Sequence, residues 1–390
     1  MSKKGIFAVA VLLVILAAVV QYTFDLVGAG AHDLRMERTG HYVTYSLDAN
    51  PSFYSNSSRF FYFVTRSGIR YVPSNSSEAR WQYTFSLTRP IMAARGDFVA
   101  VGEEGGQTIR LYNANGLVDT VLLDNPSLGF SVNANGDIAV IMSADGGYLV
   151  HGFERGNSTI PFFRLHVTHR ESPMRFPVAA EISDDRLYVA VAFINIYRQM
   201  VTEVDFFVGQ QARFGTEARF GGEDFPGEAF IAMRFMADNR LLLVTDSQIS
   251  MQSTDGSSFR EEWAVPLHNR IDQLAFCGSN RFAYVSGAAS SPDGRDADPV
   301  GTVNIFDING LTGRFYLGRR ATHLSMGHGA VIVGADRYFH GVSARGVSLW
   351  QHTAFFDVRD MIFLENTNTV LIAGVNRAEV WRRQRVRNDD

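Results

Sequence analysis

The chain has 390 residues, 46% of them hydrophobic and 19% charged, with a formal net charge of −4. This composition excludes a disordered chain, and the near-neutral balance leaves no electrostatic footprint for nucleic acid. The one cysteine, Cys277, excludes an intrachain disulfide, so the fold rests on its core; set in the apolar run 274–278, it reads as a small buried hydrophobe.

The first element is an apolar run. Residues 6–20, IFAVAVLLVILAAVV, carry no polar side chain, and Gln21 to Phe24 extend the run with mild polarity. At 1.5 Å per residue the nineteen residues reach roughly 28 Å, enough to cross a bilayer core. Lys3 and Lys4, the only lysines, flank its near side and predict a cytoplasmic N-terminus, with the rest of the chain outside. Residues 1–24 are therefore expected to be a single N-terminal transmembrane helix. The alternative is a signal peptide cleaved after Ala31, because Ala29-Gly30-Ala31 has the small-x-small form of a cleavage site. In both cases the remainder is extracytoplasmic. Residues 25–40, Gly/Ala-rich and then charged, read as a linker.

From residue 41 one unit recurs. It consists of a short strand, a polar turn, a strongly apolar strand, a third strand, a second turn and a fourth strand. The apolar strands are expected at Phe60–Val64, Phe98–Gly102, Ile138–Met142, Leu187–Ile194, Leu241–Val244, Phe282–Val285, Ala330–Val333 and Val370–Gly374. Turns rich in Asn, Asp and Gly, such as 133–137 and 278–281, precede them and tolerate the positive φ of tight hairpins. A strand covered on both faces loses its in/out alternation, which accounts for the continuous apolar runs. Outer strands should alternate, as 108–112 and 303–306 do. Fourth strands follow, with Trp263 and Trp350 each preceded by a Gly-containing turn.

The last unit supplies only three strands, at 361–364, 370–375 and 378–381. His41–Leu47 is available as the fourth and is predicted to pair with Ala378–Trp381, closing a ring. The predicted fold is thus an all-β propeller of eight blades, with seven as the alternative, spanning 41–385 and followed by a tail at 386–390.

The lysine-flanked run, the short linker and the blades with Asn/Asp-x-x-Gly turns before an aromatic strand resemble an uncharacterised bacterial family. Its members are N-terminally membrane-anchored propellers, mostly from Gram-positive, Clostridia-like organisms, related in shape to quinoprotein-like and WD-repeat propellers. The resemblance covers nearly the whole chain and supplies no catalytic or cofactor residues.

Chemistry-bearing clusters are sparse. Asp293, Asp296 and Asp298 lie in a Gly/Pro insertion and could offer oxygen ligands to Ca²⁺. Their spacing does not match a calcium loop and Arg295 sits among them, so a solvated loop is preferred and no metal site is assigned. His166 and His169 fall on opposite sides of a strand. His323, His328, His340 and His352 fall on different strands and turns. Glu103-Glu104 reads as a solvated turn. The sequence therefore predicts no cofactor and a non-catalytic binding or scaffolding propeller, with a protein or cell-envelope partner. A quinoprotein-like oxidoreductase or a glycan-active enzyme is the alternative. A convergent carboxylate/His set in the central channel would favour the enzyme, and an apolar patch on one rim would favour a partner.

Overall fold

The computed structural model describes residues 34–385, except residues 48, 57–58, 171–173, 210–218, 255–257 and 291–296. The apolar run, the first part of the expected linker, Asp293, Asp296 and the tail lie outside the described residues. Among the described residues no helix is long and apolar enough to cross a membrane.

Eight four-stranded antiparallel sheets form the blades of a propeller. The first strands of blades 1 to 8 are Ser52–Tyr54, Pro90–Arg95, Ser127–Val132, Arg175–Ile182, Phe230–Phe235, Asn269–Cys277, His323–Gly327 and Asp360–Phe363. These strands contact one another from blade to blade and form the inner ring. Every strand expected to be apolar is the second strand of a blade. Phe98–Glu103, Leu241–Thr245, Ala330–Ala335 and Thr369–Ala373 are buried along all or nearly all of their length, because a neighbouring blade covers each face.

Alternation distinguishes the outermost strands, though not where the sequence placed it. The stretches 108–112 and 303–306 belong to third strands, and Thr302–Asp307 is buried nearly throughout. The true fourth strands Phe259–Pro266 and Gly310–Tyr316 show the half-exposed pattern.

Closure follows the predicted pairing, but the strand starts earlier than the expected His41 and stops at Thr44, leaving 45–47 outside it. Leu34–Thr44 is the fourth strand of blade 8, with Tyr42 opposite Glu379, Val43 opposite Ala378 and, beyond a bulge, Arg38 opposite Trp381. Residues 34–40, expected as linker, are strand because Met36 is buried and Arg38 pairs with Glu379 at 3.0 Å.

Three fourth-strand tryptophans staple neighbouring blades. The indole N–H of Trp81 donates to the Ala114 carbonyl, that of Trp263 to Ile308 and that of Trp350 to Thr367, each at 3.1 Å. A buried indole N–H needs an acceptor, and the turn of the next blade supplies it. Trp81 belongs to this set although the sequence pattern named only the other two.

Candidate functional site

The ring has two faces. The base face carries the turns between first and second strands and between third and fourth. The mouth face carries the turns between second and third strands and the connections between blades. The channel is built differently at its two ends.

At the base, turns of successive blades bond to one another. Tyr54 Oη donates to Gly96 O at 2.8 Å, Asn133 Nδ2 to Ser183 O at 3.0 Å, Ala134 N to Asp184 Oδ1 at 3.0 Å and Ala237 N to Ser279 O at 2.7 Å. The turn residues serve this geometry. Asn133 Oδ1 accepts the N–H groups of Asn135 and Asp137, and Gly136 takes φ +86°. Arg186 holds φ +64° with its guanidinium bonded to Glu154 of the preceding blade.

Arg95 ends the inner strand of blade 2 and is only 2% exposed. Its Nη2 reaches Asp184 at 3.3 Å, Ser279 Oγ at 3.2 Å and the Phe235 carbonyl, so one side chain ties blades 4, 5 and 6 together. Its Nη1 lies 3.6 Å from Glu181. The channel therefore has a floor made of Arg95, Glu181, Asp184 and Arg234, drawn from three inner strands and a turn. Burial is the main influence on Glu181 and pushes its carboxyl up to about 7, against the opposing pull of Arg95 and Arg234.

This yields a pH prediction. A carboxyl near 4.5 in the unfolded chain and near 7 in the folded one binds its proton more tightly when folded. Its contribution is intact below about pH 4.5 and is lost as pH rises to about 7, a loss on the order of 3 kcal/mol. His151, His340 and His352 are pushed down by burial and act oppositely, losing stability as pH falls below their ordinary range. The difference between wild type and Glu181→Gln isolates the carboxyl. Urea titrations should show the variant gaining on wild type between about pH 5 and about pH 8. A constant difference across that range would contradict the floor's electrostatics.

The mouth is open and two-sided. In blades 3, 4 and 5 the inner strand is bulged where it leaves the mouth: the ladder skips Leu128, Val178 and Ile231. Ordinary inner-strand residues point at neighbouring blades, and a bulge re-aims the extra one. These three aliphatic side chains are 46%, 38% and 39% exposed. Met174, Ile196, Tyr197 and Met200 are exposed beside blade 4, where Ile196 N donates to Met174 O at 3.0 Å. Blades 6 to 8 present polar and charged groups at the same level. Arg320 forks onto Asp272 at 2.9 and 3.0 Å, and His323 Nδ1 lies 3.8 Å from Asp360.

The residues singled out in the sequence fall elsewhere. Asp298 accepts from Ser286 Oγ at 3.1 Å and Asn304 Nδ2 at 3.0 Å, while its N–H donates to Asn269 Oδ1 at 2.8 Å; it ties its loop to blade 6 and is not simply solvated. No group of three or more metal-ligating side chains gathers among the described residues. His323 bonds the Met361 carbonyl, His328 that of Leu364, and His352 packs on Trp381, so these histidines link blade 7 to blade 8. Glu103 is bonded by the Thr88 and Arg89 N–H groups, which hold its carboxyl below the usual range. Cys277 is part-exposed, not buried, because it closes the inner strand of blade 6 where the strand edge meets the channel.

An eight-bladed, four-stranded ring with terminal closure defines a β-propeller. The chain belongs to a family of unknown function, DUF5711, which it matches over residues 44–382. No curated protein is detectably similar in sequence. Solved structures share the fold at low identity. The C-terminal WD40 domain of Sif2 is 12% identical with a TM-score of 0.53, covering 90% of this chain and 99% of that one. BamB from Moraxella catarrhalis is 12% identical with a TM-score of 0.50, covering 89% and 98%.

Proposed function

We propose that the propeller is a non-catalytic binding and scaffolding module, held at the outer surface of a membrane by residues 1–24, that receives a protein partner at its mouth face. The observation that carries this reading is the asymmetry of the channel. The base is sealed by turn-to-turn hydrogen bonds and Arg95, whereas the mouth exposes Leu128, Val178 and Ile231 opposite polar groups that include the Arg320–Asp272 ion pair. An apolar centre with a polar margin is the composition of protein interfaces, and exposed aliphatics gathered at one level cost free energy unless something covers them. The tether rests on the lysine-flanked apolar run. It agrees with the topology, since Leu34 pairs with Arg385 at the base face, so a tether leading into Leu34 holds the mouth away from the bilayer.

Replacing Leu128, Val178 and Ile231 together with Asp tests the mouth. The exposed positions predict a fold that melts within about 2 °C of wild type. Crosslinking to the partner in membranes should fall at least about tenfold. Undiminished crosslinking by the folded variant would remove the mouth from the account.

A further inference from the structure

We propose that the slot between the inner strands of blades 3 and 4, beside Gly129, is the seat of an aromatic side chain carried by the partner. The proposal rests on the reading that a protein docks at the mouth, and it adds the chemistry of that protein's anchor.

A cavity of about 260 Å³ lies between the two blades. Its walls are apolar, with Ile91, Phe130, Ile141, Val178 and Ala180 among them, and Ser131 and Glu181 stand at its inner end. Val178 belongs both to this wall and to the exposed rim, so the cavity opens toward the mouth. Protein interiors leave few voids larger than a water molecule, and a cavity of about 150 Å³ lined by apolar side chains takes up benzene. The slot therefore has room for a six-membered ring or an indole.

Several strand glycines of this ring seat an aromatic side chain. Phe130 covers Gly102, Trp350 covers Gly341, and Phe363 of blade 8 covers Gly327 on the inner strand of blade 7; an added methyl carbon would collide with each of these side chains. Gly129, on the inner strand of blade 3, likewise faces the next blade. It stands opposite Ile141, which packs with Ala180 and Ile182 of blade 4. Here blade 4 supplies no ring, and a methyl carbon at Gly129 would meet nothing within 4 Å. Its φ is not positive, so the backbone itself does not call for glycine. Among the described residues, every other strand glycine without a positive φ has a neighbour within that distance. A glycine inside a strand often marks a place where a ligand comes close. The missing ring and the unfilled cavity coincide at one place, beside the exposed rim. Together they specify a flat aromatic side chain, the kind of anchor that fills central pockets of interfaces, with Phe130 in the wall to pair with it.

Two measurements on the full-length protein test this. In the first, N-acetyl-para-fluorophenylalaninamide stands in for the anchor and its fluorine NMR line is followed. The line should broaden with wild type and sharpen again when N-acetylphenylalaninamide competes. The same concentration of N-acetylleucinamide should leave it broad. Gly129→Phe, which fills the slot from within, should not broaden the line and should melt no lower than wild type, because its ring enters open space. In the second, a photo-crosslinking side chain at Ile231, outside the slot, reports the partner in membranes. Gly129→Phe should cut that crosslink at least about tenfold, and Gly129→Ala by less than about twofold. No broadening with wild type, equal competition by the leucine amide, or broadening that survives in Gly129→Phe would overturn the proposal. So would a Gly129→Phe variant that melts more than about 5 °C below wild type, since the slot would then have no room. An undiminished crosslink from the folded variant would remove the slot and leave the mouth reading standing. No crosslink from wild type would remove the mouth reading, and the fluorine measurement would then decide the slot alone.

Discussion

A propeller that begins at Asn50 instead of Leu34 will melt about 7 °C lower than the chain that keeps the closing strand. Met36 and Val43 are 6% and 4% exposed, and burying each is worth roughly 1.5–3 kcal/mol. Their loss also uncovers Val380 and Trp381 on the third strand of blade 8 and removes Arg38 from the Trp381 ring, 5.2 Å away. The combined loss is on the order of 5 kcal/mol, which for a domain of this size gives the stated shift. The opened edge also presents unpaired backbone groups to other chains, so the shortened protein should aggregate on heating where the longer one refolds. Melting points that coincide within about 1 °C would show that the ring closes without this strand.

Gly341→Ala will destabilise the fold by about 4 kcal/mol. Gly341 lies directly opposite Trp350, whose indole folds over it. A methyl carbon at Gly341 would stand 2.7 Å from Trp350 Cζ2 and closer still to Cε2 and Nε1. Trp350 is buried at 1% and cannot yield without losing its bond to the Thr367 carbonyl of blade 8. The substitution therefore combines overpacking with an orphaned indole N–H between blades 7 and 8. Gly129→Ala is the control: its added methyl meets nothing within 4 Å, and its effect should stay under about 0.5 kcal/mol. Chemical denaturation of the two variants beside wild type makes the comparison. Similar stability of both would mean that the tryptophan staples carry little of the ring's cohesion.

The blades were legible because their second strands are short, apolar on both sides and separated by turns of Asn, Asp and Gly, signals that are local in sequence. The start of the closing strand was not. In Leu34–Gly40 the buried Met36 stands among Arg and Glu residues, and only the partner strand from the far end of the chain makes that pattern meaningful. The floor was invisible for a related reason. Arg95, Glu181 and Arg234 stand at or next to the ends of inner strands in three different blades and read individually as ordinary strand charges. The mouth escaped for another: Leu128, Val178 and Ile231 look like any strand aliphatic, and only the skipped register reveals that each is turned outward. A signal was present in Pro177, which cannot donate to the ladder and sits beside the bulge of blade 4.

The account's central claim is that the mouth, and not the base, meets a partner. A photo-crosslinking side chain at Val178 and the same side chain at Asn280, exposed on a base turn, address it directly when each is irradiated in intact cells. The account predicts one discrete crosslinked species from position 178 that disappears when Leu128 and Ile231 are both changed to Asp, and none from position 280. The same species from both positions, or one from position 280 alone, would contradict it.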